Sequence, residues 1–332
     1  MVTLSDIAAK AGVNLSTASR SLSGAYGVHP KTRAKVLEIA RKLEYRPNRV
    51  AQVLATGHSK SLGLIVSDIR NPFFADIARG AEDAAYRAGL DLILCNTDLN
   101  PEKQVRYIDS LLEKQVEGII MNSVAPLGAE QMRRLSTITV PIVLLNRSKL
   151  RKLSTVSVDN YKGGRLAAKY LIELGHKRVI HLSGPQNHSN LRDRARGFVD
   201  QYEASRLKAP MVLHGQHTES GGYELARDLF SKDREFTAIS TGNDVMAFGV
   251  IRAAEEVNIR IPRDVSLIGF DDVSVGAIVN PSLTTIHQPS YEVGASAVEL
   301  LLSQIAGGPP ATGGNRMLDV SLKERSSCAP LK

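Results

Sequence analysis

The 332-residue chain has no tryptophan, only two cysteines and no long apolar run. Each scarcity excludes something. Cys95 and Cys328 are too few for a disulfide framework, so a reducing compartment and inert thiols are expected. The best apolar run, Val140 to Leu145, contains Pro141 and falls far short of a membrane span. The opening Met1-Val2-Thr3-Leu4-Ser5-Asp6 has neither the basic stretch nor the apolar core of a secretory signal. A cytoplasmic location with no membrane partner follows as an expectation. Catalytic signatures are missing as well: there is no His-x-x-x-His, Cys-x-x-Cys or Gly-x-Ser-x-Gly, and no Gly-rich phosphate loop follows the first strand. His176, His181, His188, His214 and His217 are scattered, so no catalytic residue, metal or cofactor is expected.

What is present is globular. Hydrophobic residues make up 43% and charged residues 23%, which excludes a disordered chain, and the length favours two or three domains. The charge is unevenly placed. Residues 1–60 hold ten Lys or Arg against three acids, a net +7, whereas the remaining residues hold 32 against 31, a net +1. A basic head on a near-neutral body points to a polyanion partner for the head.

The head reads as three helices. Thr3 and Asp6 form an N-terminal cap, Leu4, Ile7, Ala8 and Ala11 recur at helical spacing, and Gly12 stops the helix. Asn14 caps a second helix at once, with Val13, Ala18 and Leu22 facing the first. A third fits Pro30 to Leu43, with Val36, Ile39, Ala40 and Leu43 inward. Two short helices joined by a glycine turn, plus a supporting third, describe a helix-turn-helix unit.

The run Val2-Thr3-Leu4-Ser5-Asp6-Ile7-Ala8, then Ala11-Gly12-Val13, Ser16-Thr17-Ala18-Ser19-Arg20, Lys31-Thr32-Arg33 and Tyr45-Arg46-Pro47-Asn48, closely resembles the head of LacI/GalR-type bacterial transcription regulators of the ribose and purine repressor kind. The resemblance implies that the second helix enters the major groove, with Leu15, Ser16 and Arg20 facing bases. Arg20 has the bidentate fork for guanine, and Leu15 can touch a thymine methyl. Asn14, Thr17, Ser19 and Thr32 are expected at phosphates. Pro47 to Gly57 reads as a helix too short to stand alone. By resemblance it is the hinge helix, which pairs with its dimer mate. Asn48, Arg49, Ala51 and Leu54 would then meet the minor groove, with Leu54 wedged into a central base step.

From Ser61 on, β-rich runs alternate with amphipathic helices, the rhythm of doubly wound parallel sheets. Strands are expected at Leu62–Ser67, Leu90–Asn96, Gly118–Asn122, Ile142–Asn146, Val179–Ser183, Val212–His214, Ala238–Gly242 and Val265–Gly269. The resemblance implies an α/β body like a periplasmic binding protein, with two subdomains crossed near Asp159, Gln288 and Leu318. The expected divisions are residues 1–46 for the helix-turn-helix domain, 47–58 for the hinge, 59–159 with 290–318, and 160–289 with 319–332.

Ligands of open α/β sheets bind beyond the carboxyl ends of the strands. The residues there are rich in amides, carboxylates and guanidinium, with two aromatics, a mixture that suits a polyhydroxyl ligand. Asn71-Pro72-Phe73-Phe74, Arg194, Thr241-Gly242-Asn243-Asp244, Gly269-Phe270-Asp271 and Thr284 to Pro289 resemble the family's binding segments. Asn71, Phe73, Phe74, His188, Asn190, Arg194, His217, Asn243, Asp271 and Gln288 are therefore the expected effector residues. Asn243 reads also as a helix cap, a role that can coexist with binding, and Phe73 reads equally as core. Arg192 and Arg194 leave room for a phosphorylated or acidic sugar.

The resulting expectation is a repressor of palindromic operator DNA, acting as a homodimer and gated by a small effector, most simply a sugar. A regulator responding to purines or phosphorylated sugars is the alternative. A transport solute-binding protein fits the body but not the basic head.

Overall fold

The computed structural model describes residues 2–45, 57–122, 133–135, 137–146, 153–232, 235–307 and 314–331. The hinge residues Asn48, Arg49, Ala51 and Leu54 lie outside the described residues. The chain forms two compact units, Met1–Ser59 and Lys60–Lys332.

In the first unit, α1 (Leu4–Ala11) opens on a reciprocal cap. Thr3 Oγ1 accepts the Asp6 N–H at 3.3 Å, and the Asp6 carboxylate accepts the Thr3 N–H at 2.8 Å. Two orphan donors of the first turn are thereby satisfied. Gly12 closes the helix at φ 67°, a conformation a Cβ disfavours. Asn14 Oδ1 accepts the Thr17 N–H at 2.7 Å and starts α2 (Leu15–Ser23). Pro30 occupies the first position of α3 (Pro30–Lys42). Ile7, Ala8, Ala11, Ala18, Val36 and Ala40 are buried together. Mostly alanines, they let the three short helices approach closely.

The second unit contains two six-stranded sheets. The first is wholly parallel and runs β11 (Asn315–Leu318), β5 (Ser154–Val158), β4 (Ile142–Leu145), β3 (Gly118–Asn122), β1 (Ser61–Val66), β2 (Asp91–Asn96). The second runs β12 (Ser321–Lys323), β10 (Thr284–His287), β9 (Ser266–Asp271), β8 (Ala238–Thr241), β6 (Val179–Ser183), β7 (Met211–His214); only β12 is antiparallel. Helices α4 (Pro72–Arg87), α5 (Pro101–Glu113) and α10 (Ser290–Ile305) accompany the first sheet. The second carries α6 (Asn160–Glu173), α7 (Ser189–Ala204), α8 (Glu219–Phe230) and α9 (Asp244–Glu256). Central strands such as β1, β4 and β9 are almost wholly buried because helices cover both faces of each sheet.

Among the described residues, four strands exceed the eight expected from apolar runs. β5 reads Ser-Thr-Val-Ser-Val and is fully buried, its hydroxyls hiding the strand from an apolar count. β10 reads Thr-Thr-Ile-His, while β11 and β12 are short edge strands with partly exposed side chains. β9 also extends to Asp271, two residues beyond the expected end, so this carboxylate is the strand's own last residue. The chain passes between the sheets at residue 159, at residues 288–289 and at residues 319–320.

Among the described residues, three helix pairs meet backbone to backbone. A Cβ on Gly80 of α4 would lie 1.9 Å from the Tyr291 carbonyl oxygen of α10, and one on Gly294 would lie 2.0 Å from that of Ile77. Gly164 and Gly197 serve the α6–α7 pair in the same way, and Gly222 and Gly249 the α8–α9 pair. Because the obstacle is backbone, the helices themselves would have to separate. Gly80→Ala is therefore expected to cost about 2–3 kcal/mol, read as a lower urea midpoint of the full chain. An unchanged midpoint would show that α4 and α10 can part freely.

Candidate functional site

Two surfaces carry the expected site residues, one in each unit. In the head, α2 turns Ala18 and Ser21 into the core, and the Ser21 hydroxyl donates to the Thr17 carbonyl at 2.7 Å. The opposite face is open: Leu15, Ser16, Ser19 and Arg20 are exposed, with Leu15 at 53%. Thr17 and Thr32 are half-buried. Asn14 is committed to the helix, since its Oδ1 accepts both the Thr17 N–H and the Ser16 hydroxyl. Tyr26, in the loop before α3, is fully exposed. It was not among the expected residues, and an aromatic within the basic segment was the available signal.

In the body, a cleft of about 920 Å³ lies between the carboxyl ends of the two sheets. Of the expected effector residues, Asn71, Phe73, Phe74, His188, Asn190, Arg194, His217 and Asp271 line it. Asn243 and Gln288 are not in its wall. Asn243 is fully buried and caps α9, accepting the Met246 N–H at 2.9 Å. Gln288 sits behind the wall and donates its amide N–H to Asp271 Oδ1 at 2.5 Å.

The first lobe supplies the end of β1 and the start of α4. Asn71 caps α4, accepting the Phe73 N–H at 3.0 Å, and so fixes the two phenylalanines that follow. Phe73 is buried in the core as well as lining the cleft; Phe74 meets it edge-on, with ring centroids 5.2 Å apart. Asp68 and Arg70 at the rim pair with each other at 2.8 Å, and this holds the Asp68 carboxyl below its ordinary pKa. Asn122 donates to Ser67 at 2.9 Å. Asn146, at φ 53°, is buried in the wall with Oδ1 unsatisfied among the described residues.

The second lobe is built around Arg194 on α7, which is 3% exposed. Its Nε donates to Asn160 Oδ1 at 2.8 Å, and its Nη1 donates to the Gly242 carbonyl at 2.7 Å and to Asp271 Oδ1 at 3.3 Å. The guanidinium also lies 3.7 Å from the Phe270 ring centroid. Burial pushes the Asp271 carboxyl up to about 6, with Arg194 and Gln288 pulling it back. His217 is pushed down to about 3, by burial first and by Arg194 second, so its imidazole is uncharged. Its Nε2 has no hydrogen-bond partner among the described residues. Arg192 turns away, donating to the Gln186 carbonyl, and is not in the wall. The cleft is thus nearly charge-balanced, with one aromatic wall, one polar wall and unused hydrogen-bonding atoms.

Among the described residues no group of three His, Cys, Asp or Glu side chains could hold a metal, and no helix is long and apolar enough to cross a membrane. Residues 3–48 match the model of bacterial regulatory proteins of the lacI family. Residues 59–323 match that of periplasmic binding proteins and the sugar binding domain of the LacI family. The chain belongs to the lacI family. This lacI-family regulator is 36% identical to catabolite control protein A of Priestia megaterium over 307 residues, covering 90% of this chain and 91% of that protein. It is 35% identical to the HTH-type transcriptional repressor PurR of Edwardsiella ictaluri over 315 residues, covering 92% and 91%. Its structure resembles the lac repressor dimer bound to operator and the anti-inducer ONPF, with a TM-score of 0.89 at 29% identity over 99% of both chains. It also resembles a LacI family transcriptional regulator from Enterococcus faecium with bound ribose, with a TM-score of 0.74 at 31% identity over 82% of this chain and 100% of that one.

Breaking the Arg194–Asp271 pair from one side strands a buried charge. Asp271→Ala is expected to cost about 3–5 kcal/mol of ligand-free stability. The double variant Asp271→Ala/Arg194→Met should recover part of it, both read by urea unfolding. A double variant no more stable than the single one would mean that Arg194 is held by its other partners and not by Asp271.

Proposed function

We propose that this regulator is a cytoplasmic, non-enzymatic repressor that binds a palindromic operator as a homodimer, its affinity set by a small uncharged sugar in the cleft. The observation that carries the effector class is the charge balance of the cleft. Arg194 is answered by Asp271, Arg70 by Asp68, Glu219 by Arg252, and His217 is neutral. An anionic sugar would find no unpaired cation at Arg194 and would face the Asp271 carboxylate. A neutral polyhydroxyl suits the unsatisfied Asn146 Oδ1 and His217 Nε2, while Phe74 covers a C–H face. The ribose bound in the Enterococcus faecium regulator is in keeping with this reading.

In the head, Arg20 takes guanine, with Leu15 and Ser16 as further base contacts. Thr17, Ser19, Thr32 and the amide nitrogen of Asn14 go to phosphates. Asn48, Arg49, Ala51 and Leu54 keep the minor-groove role. A two-fold dimer matches a palindrome. Exposed apolar side chains support self-association: Leu94 on the edge strand β2, Met211 on the edge strand β7, and Ile278.

Site selection by the full chain from random duplexes should return a two-fold symmetric sequence. Arg20→Ala should lose roughly tenfold or more discrimination at one position per half-site. Uniform weakening on all sequences would make Arg20 a phosphate contact instead. For the cleft, D-ribose and other neutral aldoses are expected to raise the melting temperature, whereas D-ribose 5-phosphate and guanine are not. Stabilisation by the phosphate or the purine alone would overturn the neutral-sugar reading.

A further inference from the structure

Asp244, the first residue of α9, has no solvent exposure and no place in the cleft wall. Its Oδ2 accepts the Val273 N–H at 2.9 Å, and its Oδ1 accepts the Thr285 hydroxyl at 2.6 Å. A Cβ on residue 269 would lie 2.1 Å from that same Oδ1, so β9 must present Gly269 there. Asp244 is therefore wedged between β9, β10 and the turn that follows Asp271.

That turn needs a restraint. Asp271 and Asp272 have φ of 122° and 62°, in the left-handed region that side-chain-bearing residues avoid. Asp272 is gripped from outside: Arg325 Nη2 donates to its Oδ1 at 2.6 Å, and His287 Nδ1 lies 2.9 Å from its Oδ2. From inside, the hold comes from Asp244 on the Val273 N–H.

The charges around Asp244 do not balance if it is ionised. The groups acting on it are Asp271 and Asp272 from the end of β9 and Arg194 from α7. Asp272 already has Arg325 and His287. Arg194 sends its hydrogen bonds to Asn160, Gly242 and Asp271, and none to Asp244. One guanidinium thus faces two carboxyls, and the Asp244 carboxyl has no exposure to water. An ionised Asp244 would have two donors at most for about four lone-pair sites. A proton on Oδ1 removes the excess charge: the Thr285 hydroxyl, which donates to Oδ1 at 2.6 Å, then rotates to accept that proton, and both contacts persist. Burial and the Asp271 charge both raise the Asp244 pKa well above the ordinary carboxylate range, in agreement with the geometry.

We propose that Asp244 is a positioning residue of the cleft that works as a neutral carboxylic acid: it pins the left-handed Asp271–Asp272 turn through Val273 and Thr285, leaving Asp271 the single ionised carboxyl beside Arg194. Its bearing on the effector rests on the function proposed above; its proton does not.

The test uses the ligand-free full chain, so that failure of the sugar reading, which the melting experiment detects, stays separate. At pH 8 the infrared difference between the parent and Asp244→Asn should contain a carboxylic-acid C=O band belonging to the parent. No such band means an ionised Asp244 and overturns the proposal. The Asp271 carboxyl is then titrated by carbon-13 NMR, with Asp271→Asn supplying the assignment. Asp244→Asn should leave the midpoint near 6, because one neutral group replaces another. A midpoint lowered by that variant would mean a negative charge had been removed, and would also overturn the proposal. Asp244→Ala, which releases Val273, should drop the midpoint by about one unit or more as water reaches the turn. An unchanged midpoint in a folded Asp244→Ala protein would remove its positioning role.

Discussion

The binding cleft depends on one guanidinium that has been taken out of water. Arg194 reaches the start of α6 through Asn160, the end of β8 through the Gly242 carbonyl and the end of β9 through Asp271. Phe270 covers its face. A charge buried to this degree is tolerable only when it is paired and hydrogen-bonded, so its partners are as constrained as the arginine. Asp271 holds a rare backbone conformation beside it, and Gln288 reaches Asp271 from the segment where the chain leaves the second sheet. A ligand that engages Asp271 therefore acts on a residue bonded directly to an inter-lobe connection. This offers a physical route from occupancy to lobe arrangement, provided the ligand prefers one arrangement over the other.

The two units divide the chemical labour. The head carries nearly all of the net charge and builds a small alanine-rich core, which leaves one face of α2 open. The body is close to neutral overall, and the charges in its cleft are paired. Long-range attraction to a polyanion belongs to the head. Selection among small molecules belongs to short, desolvated hydrogen bonds in the body.

Legibility in the sequence followed the locality of the cause. The helices of the head could be read almost to the residue because caps are local: Thr3 with Asp6, Gly12, Asn14 and Pro30 each act within one turn. The parallel strands that were apolar were equally readable. β5 was not, because its serines and threonine are buried by a sheet assembled from distant segments. In the cleft, the rule that ligand groups follow strand ends pointed to Asn71, Arg194 and Asp271, all of which line it. It could not distinguish the wall from the layer behind. Asn243 and Gln288 stand one step back, and the position of Asp244 against Gly269 and Val273 depends on three elements meeting. No spacing along the chain encodes that meeting.

In the function proposed above the cleft and the head are coupled, and coupling is reciprocal. The most direct measurement is a pair of affinities of the full chain: operator duplex with and without saturating sugar, and the same sugar with and without saturating operator. With coupling, the two ratios are equal and differ from one by about fivefold or more. A sugar that binds the cleft while both ratios stay at one would contradict it.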